Sequence, residues 1–164
     1  MIAVLFVDDE PVLVDMGRLF LKRAGDFSVT GVLSGQEAVR LLQDNTYDVI
    51  ISDYQMPGMN GIELLRFVRK QCGDIPFILF TGRGDEAIAQ DAVNTGVDFY
   101  VQKGGDPKLQ FADIAHKIET AVERRRALQA IKASEQRFHD IINFLPDATF
   151  AINTCLLSTS DAAD

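Results

Sequence analysis

The chain has 164 residues, of which 47% are hydrophobic and 24% are charged, the balance of an ordinary globular protein rather than a disordered one. Sixteen basic side chains against 24 acidic ones give a net charge of -8, which opposes electrostatic binding to DNA or to an anionic membrane. Nucleic acid is therefore not an expected partner. Cys72 and Cys155 form no metal-ligand or redox motif, which indicates a reducing compartment.

The first apolar run, from Ile2 to Val7, is followed at once by Asp8, Asp9 and Glu10. This run is too short and too acidic for a signal peptide or a membrane anchor. We therefore expect a cytoplasmic protein that does not engage a membrane.

Short apolar runs recur along the first hundred residues. Ile2 to Val7, Asp48 to Ser52 and Pro76 to Phe80 are continuously apolar, as is typical of parallel strands covered on both faces. Phe27 to Leu33 and Asp98 to Val101 are weaker candidates, and segments with helical spacing separate the runs. This β-α alternation, repeated five times, predicts an α/β fold with a five-stranded parallel sheet, doubly wound, and helices on both faces.

Local signals mark where the predicted helices begin and end. Pro11 suits the first turn of the first helix, and the segment from Ser34 to Glu37 has the spacing of a capping box for the second. Gly25, Gly73 and Gly96 lie where helices should stop.

A long helix is predicted after the alternating region. From about Phe111 to Leu145, apolar residues recur every third or fourth position, and the stripe is interrupted by Arg125. We expect residues 1–120 to form the domain and residues 121–140 to form a linker helix capable of a short coiled coil. Residues 141–164 remain as a short appendage.

Polar side chains close four of the five strands: Asp8 and Asp9, Asp53, Thr81, and Lys103. Because parallel strands end at the same sheet edge, these groups should converge there. Clustered carboxylates repel one another, and Mg²⁺ is the hard cation that such oxygen ligands prefer. Lys103 and Thr81 suit a phosphoryl group, and no nucleotide-binding glycine loop is present in the sequence. The pattern predicts a phosphoryl site in which Asp53 is the nucleophile.

The same residues carry a family resemblance, which covers roughly residues 1–120 in the expected β/α order. The segments are Asp8 to Pro11, Asp53 to Gly61, Phe80 to Gly82 and Tyr100 to Lys103. Together they resemble the receiver domain of two-component response regulators. The resemblance implies a flavodoxin-like (βα)5 fold with an extended C-terminal helix.

The resemblance also implies roles for individual residues. Asp53 would accept phosphate from a phosphohistidine on a sensor histidine kinase or phosphotransfer protein. Asp8, Asp9 and Asp53, with the backbone carbonyl of Gln55, would bind Mg²⁺, and Lys103 would pair with the phosphoryl group. The remaining roles are a switch formed by Thr81 and Tyr100, and tuning of slow self-dephosphorylation by Gln55 and Arg83.

The expected output surface is the face formed by the fourth helix, the fifth strand and the fifth helix. A second copy of the chain is a candidate partner, either through this face or through the C-terminal helix.

One segment departs from the family pattern. Receivers usually have proline directly after the lysine, whereas this chain has Gly104 and Gly105 between Lys103 and Asp106. Glycine is conformationally permissive, so we expect a more mobile loop. The Lys-Gly-Gly-Asp-Pro form is similar to receivers of archaeal sensor proteins.

A second resemblance begins near the end of the long helix. The segment from Ser134 to Ile152 resembles the entry helix and first strand of a PAS sensor domain, as in archaeal receiver-PAS proteins. After Asn153 the chain departs from that pattern. We therefore expect a truncated PAS-like start with a frayed tail, and a chain that is either a piece of a longer receiver-PAS protein or one whose end is altered.

Two other functions compete with the phosphorylated switch. A Mg²⁺-dependent phosphohydrolase could use Asp53 as a covalent nucleophile, but Gln55 stands where a second acid would serve the leaving group. A non-phosphorylated interaction module would keep the fold without the chemistry. The complete set of acidic residues with Thr81 and Lys103 favours the switch over both.

Overall fold

The computed structural model describes residues 1–82 and 86–144, apart from the side chains of residues 86–88. The five predicted strands are confirmed to within one residue at each end. They form one parallel sheet in the order β2-β1-β3-β4-β5. The strands are β1 (Ile2–Val7), β2 (Phe27–Val32), β3 (Val49–Ser52), β4 (Phe77–Thr81) and β5 (Phe99–Gln102).

The helices cover both faces of the sheet, as the doubly wound prediction requires. They are α1 (Pro11–Ala24), α2 (Gly35–Asp44), α3 (Gly61–Gln71), α4 (Glu86–Thr95) and α5 (Pro107–Phe144). Buried side chains of α1 and the first part of α5 pack on one face, against residues such as Phe6 and Phe80. Side chains of α2, α3 and α4 pack on the other, against residues such as Leu5 and Leu79. Successive residues of a strand therefore pack into opposite cores, which explains why the runs are continuously apolar.

The helix N-termini differ in detail from the sequence prediction. The Ser34 hydroxyl accepts from the Glu37 N–H at 3.2 Å, but the Glu37 carboxylate accepts from the Leu33 N–H rather than closing a box on Ser34. A full capping box occurs instead at α3. There Asn60 and Glu63 each accept a hydrogen bond from the other's backbone N–H at 2.9 Å. This box fixes the start of α3 beside the end of β3.

The long C-terminal helix is confirmed and begins at Pro107, one turn before the periodic apolar stripe. Its buried residues lie between Phe111 and Val122, and the first compact unit of the chain runs from Met1 to Arg125. From residue 126 to residue 144 every side chain is exposed, including those of Leu128, Ile131 and Phe138. The linker and coiled-coil assignments stay predictions, and residues 145–164, which hold the end of the PAS-like segment and the tail, lie outside the described residues.

Across the described ranges, residues 1–82 and 86–144, we find no helix that is both long enough and apolar enough to cross a membrane.

Candidate functional site

The site lies at the carboxyl edge of the parallel sheet, where β1, β3, β4 and β5 end. β1 pairs with β3, and the register places Val7 opposite Ser52, so Asp8 and Asp53 follow at neighbouring positions. The Asp53 N–H donates to the Val7 carbonyl at 2.8 Å, which extends this pairing by one residue. The strand register alone therefore brings these two carboxylates together.

Three carboxylates converge at this edge, as the sequence predicts. Asp8, Asp9 and Asp53 each offer one oxygen, and these oxygens all lie within 4.8 Å of one another. Asp8 is fully buried and Asp53 is 5% exposed, whereas Asp9 is exposed to solvent. Among the described residues, Asp8 Oδ2 accepts no well-directed hydrogen bond, although an ammonium group lies close to it. A cluster of carboxylate oxygens, one of them buried without a well-directed hydrogen bond, fits a divalent cation such as Mg²⁺.

The Lys103 ammonium lies between the two buried carboxylates. Its Nζ is 2.8 Å from Asp8 Oδ2 and 3.0 Å from Asp53 Oδ2. The same Nζ lies 5.5 Å from the centroid of the Phe80 ring, while the Lys103 N–H donates to the Thr81 carbonyl at 2.6 Å. Lys103 is thus fixed at its backbone and at its ammonium, and its charge balances part of the acidic cluster.

Burial and charge act in opposite directions on these groups. Burial raises the pKa of Asp8 above its ordinary value near 3.8, and this outweighs the lowering by Lys103 and by the Glu10 N–H. Burial by itself would lower the pKa of Lys103, but its ion pairs with the Asp8 and Asp53 carboxylates raise it instead. Relative to water, folding therefore favours the protonated form of Asp8 and the charged form of Lys103.

The Asp8 pKa predicts a pH effect on stability in metal-free solution. Because folding raises this pKa, its contribution to the free energy of unfolding is present below about pH 3.8 and is lost as the pH rises through the raised value. We expect Asp8→Asn to gain stability relative to wild type as the pH rises through that window. Urea unfolding of both proteins in chelator at several pH values measures the gap. A gap that stays constant or shrinks would contradict the assigned direction.

Comparison with known proteins decides the family. The sequence model of the response regulator receiver domain matches residues 4–119. The chain belongs to the response regulator receiver family.

Individual relatives agree with this assignment. Response regulator SaeR of Staphylococcus aureus is 36% identical over 104 residues, which cover 63% of this chain and 45% of that regulator. The chain thus spans less than half the length of the curated relatives that it matches. A response regulator receiver domain protein from Clostridium thermocellum superposes with a TM-score of 0.70 at 28% identity, covering 78% of this chain and 99% of that one.

The signal receiver domain of a histidine kinase from Syntrophus aciditrophicus is also similar. It has a TM-score of 0.66 and 28% identity, covering 75% of this chain and 91% of that one. Receivers similar to this chain therefore occur in both response regulators and a histidine kinase.

The two residues predicted to form the receiver's switch lie on adjacent strands. Thr81 ends β4 and is 4% exposed, while Tyr100 on β5 is half-buried against the core shared with α2, α3 and α4. Gln55 is exposed in the loop after Asp53. Arg83, the other predicted modulating residue, lies outside the described residues.

Gly61 lies beside this site and has no role that the sequence pattern predicts. It begins α3, and its N–H donates to the Tyr54 carbonyl at 3.0 Å. A Cβ at Gly61 would overlap the backbone carbonyl oxygen of Asp53 and lie 2.8 Å from a Leu79 methyl group. The absence of a side chain here lets α3 approach the backbone of Asp53. Its place directly after the capping residue Asn60 is the signal that could have identified it.

We expect Gly61→Ala to destabilise the fold by roughly 2–3 kcal/mol, because a backbone carbonyl cannot move aside as a flexible side chain can. Urea unfolding measures the loss. Gly82→Ala is a matched control, because a Cβ there meets no described atom within 4 Å and should leave the free energy of unfolding nearly unchanged. Equal stability of the two variants would contradict the close approach.

Proposed function

We propose that this receiver accepts a phosphoryl group on Asp53, in a Mg²⁺-dependent reaction, from a sensor histidine kinase or a phosphotransfer protein. The observation that carries the proposal is the position of the Asp53 carboxylate, nearly buried beside Asp8 and 3.0 Å from the Lys103 ammonium. Family membership supplies the reaction class, and the convergence of these groups supports Asp53 as the acceptor.

The proposed chemistry is a nucleophilic transfer between two side chains. A carboxylate oxygen of Asp53 attacks the phosphorus of the phosphohistidine, so an O–P bond forms and the P–N bond breaks. The imidazole nitrogen keeps the bonding electron pair and takes up a proton. Lys103 pairs with the incoming phosphoryl oxygens, and the Thr81 hydroxyl donates to one of them. These donors stabilise the charge that the transfer brings into the site.

The donor set fits a magnesium ion. Asp8, Asp9, Asp53 and the backbone carbonyl of Gln55 would hold it, since all four supply the oxygen ligands that Mg²⁺ prefers. When bound, the ion supplies positive charge that lets carboxylates and phosphoryl oxygens approach one another. The pairing of β1 with β3, which brings Asp8 and Asp53 to neighbouring positions, supports this proposal.

Phosphorylation is proposed to bias two arrangements of Thr81 and Tyr100. Movement of Thr81 towards the phosphoryl group frees space into which the Tyr100 ring rotates, which changes the α4-β5-α5 face. The support is the position of Tyr100 at the edge of the core and along an open groove with Lys117 and Asp113. Gln55 and Arg83 are proposed to tune slow hydrolysis of the aspartyl phosphate.

We also propose a partner, a following domain start and a location for the receiver. The exposed apolar residues of α5 beyond Arg126 favour pairing with a second copy, and the segment from Ser134 favours a PAS-like sensor start after the helix. We propose a cytoplasmic location, with a reducing compartment indicated by the two isolated cysteines.

Intact-mass analysis of the wild type tests the proposed function. After incubation with Mg²⁺ and a small acyl-phosphate donor, we expect a gain of one phosphoryl group that decays slowly once the donor is removed. The same incubation in chelator should show little gain. No gain with Mg²⁺ would favour the interaction module, and continuous release of phosphate over many turnovers would favour the phosphohydrolase.

A further inference from the structure

The loop after β5 contains two glycines where the family usually has a proline. Gly104 has a φ of 140° and Gly105 a φ of 84°, and a Cβ at either would meet no described atom within 4 Å. Glycine permits these angles, but neither side-chain packing nor a proline ring holds them. Lys103 lies directly before these two glycines, so other contacts must hold its backbone in place.

The two ends of the loop are fixed by ordinary backbone contacts. At the start, the Lys103 N–H donates to the Thr81 carbonyl. At the end, the Asp106 carboxylate accepts from the N–H groups of Lys108 and Leu109 at 2.8 and 3.2 Å, which caps α5. These contacts do not fix the Lys103 carbonyl or the peptide that follows it.

Gln110, on the first turn of α5, contacts the loop on both sides of Lys103. Its side-chain Nε2 donates to the Gln102 carbonyl at 2.7 Å and to the Gly104 carbonyl at 3.1 Å. Both partners are carbonyl oxygens, which can only accept hydrogen bonds. The side-chain amide nitrogen of Gln110 carries two protons, so it can donate one hydrogen bond to each carbonyl. The Gln110 backbone N–H in turn donates to the Asp106 carbonyl at 3.0 Å, which ties the glutamine to the same loop.

We propose that Gln110 is a positioning residue for Lys103 and replaces, by hydrogen bonding, the rigidity that a proline gives in other receivers. The two hydrogen bonds from Gln110 hold the carbonyls of Gln102 and Gly104 at fixed positions. They thereby limit the directions in which the Lys103 side chain can extend. The ammonium is thereby held within reach of Asp8 and Asp53. This inference rests on the proposed function, in which Lys103 pairs with the phosphoryl group.

The first test compares phosphorylation rates in a double-mutant cycle. Gln110→Leu keeps a similar volume without donors, and we expect it to slow phosphorylation by acetyl phosphate with Mg²⁺ about 5- to 10-fold, the effect of about one net hydrogen bond. In a Lys103→Met background, adding Gln110→Leu should change the rate by less than about twofold, since a positioning effect vanishes with the group it positions. Gln136→Leu is a matched control, because that glutamine lies on the same helix and donates to Asp140 instead.

The second test reads the loop directly. In two-dimensional amide NMR of the metal-free protein, Gln110→Leu should speed hydrogen exchange at the Lys103 N–H, which donates to the Thr81 carbonyl between the two carbonyls that Gln110 contacts, while leaving β1 and β3 unchanged. Unchanged exchange, a Gln110→Leu rate equal to wild type, or equal slowing in both backgrounds would each overturn the positioning role. A wild type that gains no phosphoryl group would overturn the proposed function, and the role of Gln110 with it.

Discussion

Asp53→Asn is expected to gain no phosphoryl group under conditions in which the wild type gains one. The amide has nearly the same shape as the carboxylate but lacks an anionic oxygen to attack phosphorus. Its oxygen can still accept the Tyr54 N–H bond, which spans 2.7 Å in the wild type. The substitution also removes one of three clustered negative charges, so the fold should be at least as stable. Intact mass after incubation with Mg²⁺ and acetyl phosphate measures the loss.

A carboxylate outside the cluster provides the control for this substitution. Asp15 on α1 is exposed and pairs with Arg18, so Asp15→Asn should be phosphorylated like the wild type. Urea unfolding confirms that Asp53→Asn is folded. A full gain of one phosphoryl group by Asp53→Asn would place the acceptor elsewhere and contradict the proposal.

Lys103→Met is expected to have two effects. The rate of phosphorylation should fall on the order of 100-fold, because a charged donor aimed at the phosphoryl oxygens is lost. In metal-free solution the fold should lose about 3 kcal/mol, because Asp8 and Asp53 would remain buried without their counter-charge. Methionine keeps most of the volume of the lysine stem, so packing against Phe80 changes little.

The effect of Mg²⁺ on the free energy of unfolding tests the role of Lys103 more directly. Lys103 and a bound cation would balance the same carboxylates, so saturating Mg²⁺ should stabilise Lys103→Met more than it stabilises the wild type. Lys117→Met is the matched control, since Lys117 pairs with the half-exposed Asp113 and should contribute no more than about 1 kcal/mol. Equal stabilisation of Lys103→Met and wild type by Mg²⁺ would contradict the shared role.

Much of the fold and the site edge could be predicted from the sequence. Continuously apolar runs identify strands that are covered on both faces, and the turn that follows each strand then lies at one edge of the sheet. Asp8, Asp53 and Thr81 were predicted at this edge because each directly follows or ends such a run. Their placement needs only strand register, which hydrophobic patterning specifies strongly.

Features that depend on three-dimensional contact could not be predicted in the same way. The mobility expected of the loop after Lys103 stays a prediction. The ion pairs of Lys103 and the hydrogen bonds that Gln110 donates on either side of it depend on contacts that residue spacing does not show. The sequence places Gly61 directly after the capping residue Asn60, but the contact that requires a glycine there, with the Asp53 carbonyl, exists only once α3 has packed. Spacing predicted a capping box at Ser34, but Glu37 reaches the Leu33 N–H instead. Such choices between neighbouring donors are made by local geometry that residue spacing does not encode.

Chemical mapping of the phosphorylated residue tests the central claim most directly. Borohydride reduces an aspartyl phosphate to homoserine, which marks the acceptor permanently, and peptide mass mapping then locates the mark. After phosphorylation of the wild type with Mg²⁺ and acetyl phosphate, we predict homoserine at position 53 and unmodified Asp8 and Asp9. Homoserine at another acidic residue, or a phosphorylated protein without any such mark, would contradict the assignment of Asp53 as the acceptor.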